Sequence, residues 1–107
     1  MNLPVEPIAK RIRFFHGREV LLDSDLAQFY GVATETLRQS VARNKERFPE
    51  DFMFQLTAKE AELLRKGGNN YLPHVFTEEG VVMLSSILHS KRAVQISVAI
   101  MRTLMGP

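Results

Sequence analysis

The stretch "DLAQFYGVATETLRQSVARNKERFPEDF", Asp25–Phe52, decides how this chain is read. Two short runs with helical spacing flank Gly31. Asp23, Ser24 and Asp25 can each cap the first run by accepting backbone N–H bonds. Gly31 ends that run at low steric cost. Thr34 is the cap expected for the second run. On a wheel of about 100° per residue, Leu37, Val41 and Phe48 fall within about 40° of one another, so they form one buried stripe. Pro49 is expected to stop this helix.

A helix pair that reads DNA needs a small residue where the helices cross and a turn residue that accepts a left-handed backbone. Its second helix must turn polar side chains outward. Ala27 is the small residue and Gly31 the turn, with Leu26, Tyr30, Val32 and Leu37 as apolar contacts. The outward face carries Glu35, Gln39, Ala42 and Arg43, flanked by Thr36 and Arg38, and Thr34 stands at the helix start. Lys45 and Arg47 lie at the far end, where a phosphate backbone could run. Arg suits guanine and Gln suits adenine; Lys and Arg neutralise phosphate. From Thr34 to Arg47 there are four basic and two acidic residues. Spacing leaves two readings open: a DNA-reading pair, or two packed helices with a solvated charged face.

Outward from this stretch, the chain alternates short elements. "IRFFHGREVLL" places two apolar runs around His16-Gly17-Arg18, which predicts a hairpin. "DFMFQLT" reads as a strand. "TAKE", Thr57–Glu60, has the form of a capping box and opens a helix through Leu64. "KGGNN" is a loop. "YLPHVF" reads as an edge strand, because Pro73 cannot donate to a ladder. Thr77 and Ser90 cap two further helices. The first nine residues, with prolines at 4 and 7, are expected to be a flexible arm, and residues 10–105 a single domain. This is an α+β fold: a helix-turn-helix-like pair, a hairpin with short strands, and C-terminal helices.

The 107 residues suffice for one modest core. A net charge of +2 permits nucleic-acid binding without demanding it, so the distribution of charge has to decide. The absence of cysteine excludes disulfides, zinc fingers and thiol catalysis. No apolar run approaches the roughly 18 residues of a membrane helix, and the N-terminus has no apolar signal core. A cytoplasmic protein is expected, with no membrane partner. His16, His74 and His89 are far apart, and no metal site is expected. Asp23, Asp25, Glu50 and Asp51 read as caps and turns, and Ser85 and Ser86 lack a nucleophile elbow. Neither a catalytic site nor a cofactor is expected, so the chain is read as non-enzymatic.

Arg13 and Arg18, with Lys10 and Arg11 nearby, could grip phosphate from the hairpin; a solvated strand edge accounts for them equally. The last helix carries Val94, Ile96, Val98, Ile100, Met101 and Leu104, more than one narrow stripe. Core packing explains most of these. A partner helix, for example in a homodimer, would use the excess.

Four blocks carry a family resemblance: "REVLLDSDLAQFYGV" (18–32), "RNKERFPEDFMFQLT" (43–57), "YLPHVFTEEGVVMLSSIL" (71–88) and "KRAVQISVAIMR" (91–102). The chain resembles the ORF-six-N domain family, relatives of the KilA-N and Bro-N domains of phage antirepressor-type proteins. The resemblance implies a small α+β domain that binds double-stranded DNA in a phage or prophage transcriptional regulator. It also implies a separate C-terminal domain, expected to be missing from this chain. The DNA-contacting residues expected are Thr34, Thr36, Arg38, Gln39, Arg43, Lys45, Arg47, Arg13 and Arg18, with specificity in the outward helix face. The alternative expectation is an interaction or dimerisation module built on the apolar C-terminal helix.

Overall fold

Two residues in the left-handed region, His16 at φ 53° and Gly17 at φ 75°, close the first hairpin. This matches the right-handed twist of the strands they join, β1 (Arg13–Phe15) and β2 (Arg18–Leu22). A left-handed backbone is costly for His16, and its ring has two partners. It stacks on Phe54 at 4.2 Å, and its Nε2 lies 2.8 Å from Glu60 Oε2. The computed structural model describes residues 5–64 and 72–105.

Before the hairpin lies α1 (Val5–Arg11). After it come α2 (Asp23–Tyr30), α3 (Thr34–Arg43) and a 3-10 turn, Lys45–Arg47. Then follow β3 (Met53–Gln55), α4 (Ala58–Leu63), β4 (His74–Phe76), α5 (Glu78–Leu88) and α6 (Lys91–Met105). The strands pair antiparallel in the order β1-β2-β4-β3. The domain is therefore α+β, as the sequence predicts.

Strand periodicity divides the interior in two, because neighbours along a strand point to opposite faces. Leu21, Phe76 and Met53 face the helices and join the main core with Leu26, Leu37, Leu84, Ile96 and Ile100. Val20, Leu22 and Val75 face the other way and meet Leu56, Phe15, Phe54 and Leu64. On α6 the buried positions are Ala93, Ile96, Ser97, Ala99 and Ile100, the i, i+3, i+4, i+7 pattern of a helix with one face in the core. Tyr30 in α2 meets this face, its hydroxyl 2.8 Å from Ser97 Oγ in the interior.

Burial pushes the Tyr30 hydroxyl up to about 12, against the opposing effect of the Ser97 hydrogen bond. The folded state thus keeps a proton that the unfolded chain releases near 10. Stability is fully present below pH 10 and falls as pH rises towards 12, by roughly 2–3 kcal/mol. Urea midpoints across this window should drop more steeply for the wild type than for Tyr30→Phe. Equal slopes would contradict the assignment.

Several expectations are corrected. The flexible arm expected over residues 1–9 is corrected from residue 5 onward. Val5–Arg11 is helical, Ile8 is fully buried, and α1 packs on α6. Residues 1–4 lie outside the described residues, as does the "KGGNN" loop.

The strand after Pro73 is not at the edge: β4 lies between β2 and β3. Pro73 precedes the first ladder residue, so its missing N–H costs nothing, and its carbonyl accepts from Leu56 N–H at 2.9 Å. Neither helix of the central pair has the cap expected for it. Leu22 stands at the cap of α2 and Ala33 at that of α3, both without a side-chain bond, so Asp23 and Thr34 are first helical residues. The second helix stops at Arg43, well before Pro49. Asn44 ends it, with its amide donating to the Ser40 carbonyl at 2.8 Å. Phe48 still reaches the core, carried there by the 3-10 turn.

The caps at Thr57, Thr77 and Ser90 are present as expected. Thr57 and Glu60 bond reciprocally, at 3.1 Å and 2.9 Å. The Thr57 N–H, and after it the His16 ring, hold the Glu60 carboxyl below its ordinary range. Thr77 Oγ1 accepts from Gly80 N–H, and Ser90 Oγ from Ala93 N–H at 3.0 Å.

Candidate nucleic-acid interface

The expected helix pair is present, and its turn is built from backbone. Gly31 has φ 76°, and the Val32 N–H reaches back to the Ala27 carbonyl at 3.0 Å. This satisfies the last carbonyls of α2. Arg92 of α6 adds a bond from its Nε to the Phe29 carbonyl at 3.2 Å. Sequence spacing gives no sign of Arg92, which lies 63 residues from its acceptor. Ala27 is buried where the pair closes, and Leu26, Tyr30 and Leu37 are buried with it.

Leu37 and Val41 set the inward direction of α3. With about 100° per residue, Gln39 points almost directly away from them, with Glu35, Ala42, Arg43 and Thr36 within about 60° of it. All five are exposed, and so are Lys45 and Arg47 beyond the helix end. Among the described residues, no carboxylate lies within ion-pair distance of Arg43, Lys45 or Arg47. A flexible cation with no internal counter-charge keeps its charge available to an external anion.

Thr34 is half-buried at the helix start. Arg38 stands on the flank of this face, with Nε 4.0 Å from Asp23 Oδ2. Asp23 is fully buried. Its Oδ1 accepts from Ser24 N–H at 2.7 Å and its Oδ2 from His74 N–H at 3.2 Å. One carboxylate therefore ties together the start of α2, the start of β4 and the flank of α3. Beside it, between α3 and the β3–β4 strands, opens a cavity of about 430 Å³.

The hairpin arginines lie apart from this face. Arg18 pairs with Glu79 and donates to the Asp51 carbonyl at 3.3 Å. Glu79 sits below its ordinary range, first through a backbone N–H and then through Arg18. Arg13 is half-buried, with its Nε shielded from solvent. Arg11 pairs with the buried Asp25 at 3.1 Å. Arg11 and Arg18 brace the fold. The exposed set is thus narrower than expected: Thr36, Gln39, Arg43, Lys45 and Arg47.

Among the described residues, no group of three or more His, Asp or Glu is placed to hold a metal ion, and no helix is long and apolar enough to cross a membrane.

The chain is thus a small α+β domain whose second paired helix turns one polar face outward. Residues 10–87 match the ORF6N domain family, and the chain belongs to it. Membership suggests a phage-type regulatory domain. No curated protein matches the chain, and no solved structure does.

Proposed function

We propose that this domain is the sequence-specific DNA-binding part of a phage- or prophage-type transcriptional regulator or antirepressor, acting in the cytoplasm without enzymatic activity. α3 enters the major groove, Gln39 and Arg43 meet base edges, and Lys45 and Arg47 lie on phosphates. The observation that carries this reading is the exposed row Thr36, Gln39 and Arg43 on the side opposite Leu37 and Val41, followed beyond the helix end by the exposed Lys45 and Arg47.

Anisotropy of labelled duplex DNA tests it. Each phosphate neutralised contributes about −0.9 to the slope of log K against log salt, so three cations give a slope of about −3 or steeper. A flat salt dependence, or no binding, overturns the proposal.

A second reading, a homodimer through α6, has its own observation: Val94 and Val98 are 52% and 40% exposed on that helix. Apolar association of this kind survives high salt, and sedimentation at rising salt separates it from DNA binding.

A further inference from the structure

The cavity beside α3 has two kinds of wall. Its floor is apolar, formed by Leu37 and Val41 from the helix and by Met53 and Phe76 from the strands. Its polar wall combines Arg38, Lys45 and His74, with Glu35 and Gln39 at the rim. Asp23 forms the back of this wall. The residue is fully buried, and its two oxygens already accept from Ser24 and His74 N–H groups. The same carboxylate lies 3.8 Å from His74 Nδ1 and 4.0 Å from Arg38 Nε.

The buried carboxylate thus stands behind both the imidazole and the guanidinium at the edge of an open cavity. With Asp23 buried behind them, the charged groups that reach the mouth are Arg38 and Lys45 against Glu35, with His74 beside them, above a surface that favours hydrocarbon. Neither water nor a bare phosphate matches that pairing. An ion with one negative charge and an apolar body matches both halves.

We propose that this cavity is a binding site for a small amphipathic carboxylate, an aliphatic or aromatic acid. Its carboxylate pairs with Arg38 and Lys45 beside His74, and its hydrocarbon lies on Met53, Phe76 and Val41. Arg and carboxylate pair well because the planar guanidinium offers a fork of N–H donors. The site does not depend on the DNA-binding reading. If that reading holds, an acid bound here neutralises cations on the reading helix and weakens DNA binding.

Benzoate is the probe, titrated without DNA and followed by amide shifts, with benzyl alcohol as the neutral counterpart. Benzoate should shift the amides of α3, Met53 and His74, and benzyl alcohol should do so at least tenfold more weakly. Arg38→Gln should weaken benzoate binding tenfold or more. Ala42→Leu, at an exposed helical position on the cavity wall, should block entry while preserving the amide spectrum elsewhere. The proposal is overturned if benzoate produces no localised shifts, if benzyl alcohol matches it, or if binding survives Ala42→Leu. Because DNA is absent, failure here is distinct from failure of the DNA assignment.

Discussion

Gly80→Ala should destabilise this domain by about 3 kcal/mol or more, at or above the top of the range for overpacked interiors. A Cβ at position 80 would stand 2.0 Å from the Phe52 carbonyl oxygen and 3.3 Å from the Phe76 ring. The oxygen cannot move aside. It accepts the Thr77 N–H at 3.0 Å, in the same turn where the Thr77 hydroxyl donates to the Asp51 carbonyl at 2.7 Å. Room for the methyl group can come only from sliding α5 away from the β3–β4 strands, which opens the main core around Val81 and Leu84. For a domain whose whole stability is of the order of 5–15 kcal/mol, this is a large share. With a urea dependence of about 1–3 kcal/mol per molar, the midpoint should fall by about 1–3 M. A midpoint equal to wild type would mean that α5 does not rest on the Phe52 carbonyl.

The glycine shows where sequence reading stops. Gly80 lies in the first turn of a helix, where glycine costs about 1 kcal/mol relative to alanine. Its reason is a backbone 28 residues earlier in the chain, and no local pattern reports that. The features legible in the sequence are those whose partners are close along the chain. The Thr57–Glu60 box, the His16-Gly17 turn, the Gly31 cap and the Thr77 and Ser90 caps all close within five residues. Strand order was not legible, because Pro73 is compatible with an edge and equally with the residue just before a central strand. Nor was α1: Ile8 is buried in a core to which α6, far along the chain, contributes.

The candidate site divides along the same line. The directions of Gln39 and Arg43 follow from helix geometry and the buried positions Leu37 and Val41. The fate of an arginine does not. Arg11, Arg18 and Arg38 look like an available basic set in the sequence, and each finds a carboxylate 14 to 61 residues away. A long flexible cation takes whatever anion the fold brings near it, so counting basic residues overestimates a DNA-binding face. Of the cations expected to meet DNA, Arg43, Lys45 and Arg47 at the end of α3 stay exposed, and Arg18 of the hairpin is occupied within the fold.

This concentration of charge leads to the largest functional effect expected. Replacing Arg43, Lys45 and Arg47 together by Gln should weaken duplex binding on the order of 10- to 100-fold at physiological salt and reduce the salt slope by about 3. The fold should tolerate it. All three side chains are exposed, and substitutions at such positions change stability by about 0.5 kcal/mol each. Arg18→Gln gives the contrast. It breaks the pair with Glu79 and the bond to the Asp51 carbonyl, so it should lower the urea midpoint while leaving the salt slope unchanged. Gln39→Ala is a third pattern. Without its amide at a base edge, sequence preference should relax by about 1–3 kcal/mol at one position, and the slope should stay as it is. Charge, scaffold and readout thus have separate signatures in one anisotropy titration combined with urea unfolding. An unchanged slope in the triple variant would remove the end of α3 from the interface. A lowered slope in Arg18→Gln would return the hairpin to it.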